Sequence, residues 1–223
     1  MNNDFHERGG KPQALWQAGT LGLQSEPWSD RRGLLFRRWK RLKCGVLTVI
    51  SSDFNLIIST SRGFENDACS EVWYLLGEIG DQESVVEKTG ISGLVVVKTV
   101  LDSFEAVSAL RRLLGERSEE FRHILRVIPV EAVVPTRLEE IGKVSHDLSQ
   151  KISENETFRV TVEKRHTQLS TRKIVETVAE NISRQVNLEH PDKIVLVEVL
   201  GSITGVSVIK PEDILSVVKE RAS

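Results

Sequence analysis

Residues Phe158 to Ile182 read FRVTVEKRHTQLSTRKIVETVAENI. Apolar and polar residues alternate from Phe158 to Lys164, the period of a strand, and a helical pattern takes over from Thr171 to Ser183. A short basic connection lies between them. Lys164 and Arg165 close the strand, while Arg172 and Lys173 open the helix. A helix start carries partial positive charge and favours acids, so four cations here call for an explanation.

Working outward, KIVLVEVLGSITGVSVIK gives two strands joined near Gly201 and Ser202, with a further helix expected behind Pro211. Upstream, Thr136 to Ile152 reads as a helix opened by a capping box of Thr136 and Glu139. The first half shows the same alternation. Phe54 to Thr60 and Leu94 to Val100 read as strands, Asn66 to Ile79 and Ser103 to Leu114 as helices, and FRHILRVIPVEAVVP as strand up to its prolines. The fold class expected is α+β in two units: residues 46–135, then 136–223. Residues 1–45, rich in glycine and ending in RRGLLFRRWKRLK, are expected to be an irregular basic arm.

The other helix starts sharpen the question. Glu65 and Asp67, Glu105, Glu139 and Glu140, and Glu212 and Asp213 each place acid in or near a first turn. The start at Ser170 and Thr171 has none before Glu176. A bound phosphate would reverse the sign of that arrangement, because backbone N–H groups and both cations would face one anion. Solvated surface cations are the alternative reading.

Composition sets the outer limits. Residues 1–44 hold nine Lys and Arg against four Asp and Glu, a surplus of +5, which leaves 21 against 28, or −7, for the remainder. The net charge of −2 therefore does not exclude an anionic partner. Two cysteines far apart give neither a disulfide framework nor a zinc site. The apolar run ISGLVVVKTVL is too short to span a membrane, and a cytoplasmic location without a membrane partner is expected. No phosphate-cradling glycine loop, nucleophile elbow or metal-ligand spacing stands out, so no cofactor and no metal are expected. The rival enzymatic reading rests on His166 with Glu163 or Glu198 as base, Glu198 being the one acid in the apolar run VLVEVL. Beyond residue 136 the aromatic inventory is Phe158, which favours contacts to RNA backbone over base stacking in that half.

The stretch from Phe158 through Lys164-Arg165, Pro191-Asp192, Val197-Glu198-Val199 and Gly205-Val206-Ser207-Val208 resembles the THUMP domain, an RNA-binding module of tRNA-modifying enzymes. Arg62-Gly63-Phe64-Glu65 is similar to a turn of the ferredoxin-like domain that accompanies it, and Arg126 to Glu131 to the joining segment. The resemblance implies an N-terminal ferredoxin-like domain followed by a THUMP domain, with tRNA bound at its acceptor stem. Because the chain stops at Ser223 without a recognised catalytic domain, the resemblance further implies the stand-alone subgroup. That would be a non-catalytic adaptor presenting tRNA to an RNA acetyltransferase that makes N4-acetylcytidine, with a tRNA-modifying enzyme, or an accessory subunit for another modification such as thiolation or methylation, as the alternative. The RNA-contacting residues expected are Lys164, Arg165, Arg172 and Lys173, then Arg159, Arg62 and Lys210.

Overall fold

A computed structural model describes residues 50–222; the expected basic arm, 1–45, lies outside them. The first half runs β1 (Leu56–Thr60), α1 (Glu65–Glu78), β2 (Val85–Lys88), β3 (Leu94–Lys98), α2 (Ser103–Glu116) and β4 (Ile124–Pro129). The second runs β5 (Ala132–Pro135), α3 (Leu138–Leu148), β6 (Thr157–Arg165), α4 (Thr171–Glu180), β7 (Gln185–Val186), β8 (Lys193–Leu200) and β9 (Ile203–Ile209). A short β10 (Leu215–Ser216) and α5 (Val217–Glu220) finish the described chain.

The strands form two five-stranded sheets. The first has the order β10-β4-β1-β3-β2 and is antiparallel throughout; the second has the order β5-β9-β8-β6-β7, with β6 parallel to both β8 and β7. Strand β10 carries the chain back across the molecule to pair Leu215 with Val127 and Ser216 with Arg126. The parallel β6–β8 pair needs a long crossover, which α4 supplies.

Three apolar clusters show how the layers stack. Leu56 and Ile58 of β1 face α1 and α2, meeting Val72, Leu76 and Leu110. The alternate residue, Ile57, faces the other way with Val96 and Ile128 and meets Ile194, Leu196 and Ile209 of the second sheet. Val195, Val197 and Val199 then turn to α3 and α4, meeting Ile141, Ile174 and Val178. The result is a four-layer arrangement of helices, sheet, sheet and helices, with period-2 alternation sorting side chains between layers. The six aliphatic side chains just named, at about 1.5–3 kcal/mol each, provide roughly 10–20 kcal/mol of gross burial. That is comparable with the net stability of a whole domain. The two halves, read from the sequence as layers in series, therefore share a core.

Polar groups bond the link between the sheets just after β4. Glu131, just after β4, accepts the Val208 N–H at 2.7 Å through one carboxylate oxygen and pairs with Lys151 through the other. Ser207 donates its hydroxyl to the Pro129 carbonyl at 2.8 Å. Gly205 sits where an ideal Cβ would lie 3.0 Å from a Val130 methyl, so any larger residue there would have to push Val130 aside.

Two local expectations need correction. Thr136 does not cap α3: the helix starts at Leu138 with Arg137 as N-cap and no side-chain cap, and the Thr136 hydroxyl bonds that of Thr204 at 2.9 Å instead. The neighbouring strand offered a better partner than the helix end. Pro211 opens only a 3-10 turn, Pro211–Asp213, because Leu215 is drawn into the first sheet and its core before a helix can extend.

Candidate nucleic-acid interface

The basic corner forms where β6 ends and α4 begins, as the alternation of Phe158 to Ile182 requires. Along β6, Phe158, Val160 and Val162 face the helical layer. By the same period Lys164 emerges on that side, at the strand end beside α4. Its Nζ donates to the Leu169 carbonyl at 2.9 Å and so holds the loop that leads into α4. His166 follows with φ 56, a left-handed conformation uncommon for a side chain other than glycine, and turns the chain sharply out of the strand.

Helix α4 begins with Ser170 at the N-cap and no side-chain cap bond, and no acid lies in its first turn. The other three helices of eight or more residues among the described residues carry acid there: Glu65 and Asp67 in α1, Glu105 in α2, Glu139 and Glu140 in α3. Arg172 is 86% exposed and pairs one turn on with Glu176 at 2.6 Å. An exposed pair of that spacing contributes only a few tenths of a kcal/mol, so an incoming phosphate can compete for the guanidinium. Lys173 is exposed and makes no ion pair or hydrogen bond among the described residues. Lys164, Arg172 and Lys173 thus lie on one rim, around an uncapped helix start.

Arg165 points elsewhere. One residue on from Lys164, it lies on the sheet face opposite to Lys164, and its Nη1 donates to the Glu198 carboxylate at 2.9 Å. Glu198 is 2% exposed, and burial pushes its carboxyl up to about 7 against the opposing pull of Arg165. Arg126, from β4 of the first sheet, acts on the same carboxylate, so this network lies between the sheets. Arg165 therefore secures Glu198, and the four cations of the sequence reading do not converge. A carboxylate closed off in this way is also a poor general base for a bound substrate. Among the described residues no group of histidine, cysteine and acid could hold a metal ion.

The remaining expected residues are distributed over the molecule. Arg159 pairs in register with Ile194, and Ile194 with Ile209, which puts Arg159 and Lys210 at the end of the sheet far from the basic corner. Six residues of strand separate Arg159 from Arg165, roughly 20 Å. Arg159 donates to the Leu188 carbonyl at 3.3 Å, and Lys210 uses its backbone N–H on Asp213 at 2.7 Å. Arg62 is exposed in the turn after β1, on the first half. Pro191-Asp192 serves the frame: the Asp192 carboxylate accepts the Thr157 N–H at 2.7 Å and its hydroxyl at 2.8 Å. Those bonds hold its carboxyl below the usual range and fasten the start of β6.

Residues 135–209, the β5–β9 sheet with α3 and α4, match the sequence profile of the THUMP domain. This part of the chain is a THUMP domain. Over 170 residues the chain is 28% identical to the protein MJ0421 of Methanocaldococcus jannaschii, covering 74% of this chain and 43% of that one. Its fold is similar to that of PH1313 from Pyrococcus horikoshii, with a TM-score of 0.55 and 20% identity over 70% of this chain and 54% of the other. A 4-thiouridine synthetase captured with RNA and ATP aligns with a TM-score of 0.47 and 15% identity, over 74% of this chain and 42% of that one.

These comparisons correct the expectation of a non-catalytic protein. The chain spans about half the length, or less, of the proteins it matches. The end at Ser223 thus argues nothing about catalysis, since the chain covers only 43% of MJ0421 and 54% of PH1313. What holds is the mixed α/β fold with two sheets and a THUMP domain in its second half, the module of tRNA modification. No helix among the described residues is long and apolar enough to cross a membrane.

Proposed function

We propose that the chain binds tRNA through its acceptor-stem end and holds it for a modifying centre. In this reading residues 46–135 are the ferredoxin-like partner of the THUMP domain, which occupies 136–223 apart from the return of β10 to the first sheet. Lys164, Arg172 and Lys173 contact backbone phosphates, while Arg165 positions the strand end through Glu198. The observation that carries the reading is a THUMP domain in which the start of α4, alone among the described helices of eight or more residues, lacks acid and is flanked by cations. Contacts of this kind position an RNA without reading its sequence.

Cytidine N4-acetylation is the modification we assign first, with thiolation and methylation as the alternatives. Purified chain is expected to bind a minihelix of acceptor stem and T arm more tightly than an anticodon hairpin of equal length, and equal binding would count against acceptor-stem recognition. Acetyl transfer from acetyl-CoA to tRNA, assayed with the partner acetyltransferase, should rise when the chain is added. Stimulation of a methyltransferase or a thiolating enzyme instead would reassign the modification and leave tRNA binding standing.

A further inference from the structure

Phe64 and His123 meet ring on ring, with centroids 5.2 Å apart and planes 21° from parallel. Phe64 is 46% exposed. Stacked aromatic pairs in a core are enclosed, whereas here one of the largest apolar side chains stands in water at the start of α1. Its backbone is not free to fold the ring away. Glu65 accepts the Gly63 N–H at 3.2 Å and the Gly93 N–H at 2.7 Å, fixing the turn in which Gly63 has φ +88. Glu71, on the same helix, accepts the N–H groups of Arg122, His123 and Ile124 at 3.0, 2.9 and 3.0 Å, fixing the segment that carries His123. Two carboxylates of α1 thus preorganise both rings, and their charge is directed at peptide N–H groups.

The cations near the rings keep their charge outward. Arg62 and Arg122 are exposed, and Arg122 binds through Nε to the Glu119 carbonyl at 3.1 Å, with no bond from its terminal nitrogens. Arg221 adds a third guanidinium to the loop by donating to the Phe121 carbonyl at 2.6 Å and to that of Ser118. Asp67, further along α1, and Glu119, before Arg122, are the acids in this neighbourhood whose carboxylates make no hydrogen bond or ion pair among the described residues. A rigid exposed aromatic surface among arginines matches an unpaired nucleobase flanked by phosphates, because any base offers a π-face for stacking.

We propose that Phe64 and His123 form a stacking platform for an unpaired RNA base, with Arg62 and Arg122 on the adjoining phosphates. The inference rests on the tRNA-binding reading and extends it to the first half of the chain. It supplies an exposed phenyl ring, which the THUMP half, with Phe158 buried, lacks among the described residues.

Two hairpin RNAs test it on the full chain, one blunt and one with a 3′ single-stranded overhang containing 2-aminopurine. Wild-type protein should change the 2-aminopurine fluorescence and bind the overhang RNA more tightly than the blunt one. Phe64→Ala and Phe64→Leu should lose about tenfold in affinity for the overhang RNA with the blunt hairpin unaffected, and Phe64→Trp should restore it. Equal affinities of all variants for both RNAs would overturn the platform and leave RNA binding intact. Parallel losses for both RNAs with a lowered melting temperature would also overturn it, assigning Phe64 a structural role. Failure of the wild type to bind either RNA would overturn the platform together with the tRNA-binding reading.

Discussion

Glu198→Gln should flatten the pH dependence of stability. The Glu198 carboxyl stands at about 7 in the folded protein against an ordinary 4.5, chiefly because burial penalises its charge. The folded state therefore holds a proton that the unfolded state releases at lower pH. Stability from this group is complete below 4.5 and is lost as pH rises through about 7. At about 1.36 kcal/mol per pH unit of difference, the loss between pH 5 and pH 8 is roughly 2–3 kcal/mol. Glutamine keeps the shape and a carbonyl acceptor for Arg165 but does not titrate. Urea denaturation of both proteins at pH 5 and pH 8 isolates the effect, because groups common to both cancel in the double difference. The stability of the variant relative to wild type should rise by that amount between the two pH values. An identical pH dependence in the two proteins would refute the reasoning, and with it the claim that Glu198 lies desolvated between the sheets.

Two other perturbations probe the frame. Gly205→Val would press a side chain against Val130 and Ile57 at the sheet-to-sheet joint, and should lower stability by about 1–3 kcal/mol in thermal or chemical melts. A neutral result would mean that the sheets can separate there. Glu71→Ala leaves three peptide N–H groups without their carboxylate and should cost about 2 kcal/mol or more, with faster amide hydrogen exchange at Arg122, His123 and Ile124.

Much of this architecture was legible from periodicity. The helices α1, α2 and α4 bury one face each and β6 alternates, so their periods report them directly, while β8 and β9, buried on both faces, show as continuous apolar runs. The short strands β2, β7 and β10, of four, two and two residues, give no period to detect and exist only because a neighbouring edge pairs with them. At the candidate site, the acid-free start of α4 was visible in the order of residues. The two roles of Lys164 and Arg165 were half visible, since adjacent strand residues face opposite ways. What decides between them is Glu198, 33 positions away, together with Arg126 from the other sheet, and such contacts leave no local trace. The Phe64 and His123 pair, 59 positions apart, was hidden for the same reason.

Replacement of both Arg172 and Lys173 by Glu tests the central claim most directly. Acids at the α4 start gain about 0.3–1 kcal/mol each from the helix dipole, and the new repulsion of Glu176 takes back a few tenths, so stability should hold or rise slightly. Affinity for labelled tRNA, followed by fluorescence anisotropy over a salt series, should fall steeply. The slope of log affinity against log salt should flatten by somewhat under one unit for each phosphate that the protein no longer neutralises. Lower affinity with undiminished stability is the result predicted. Unchanged affinity and salt slope in a folded double variant would contradict the account and make the basic corner a solvated surface.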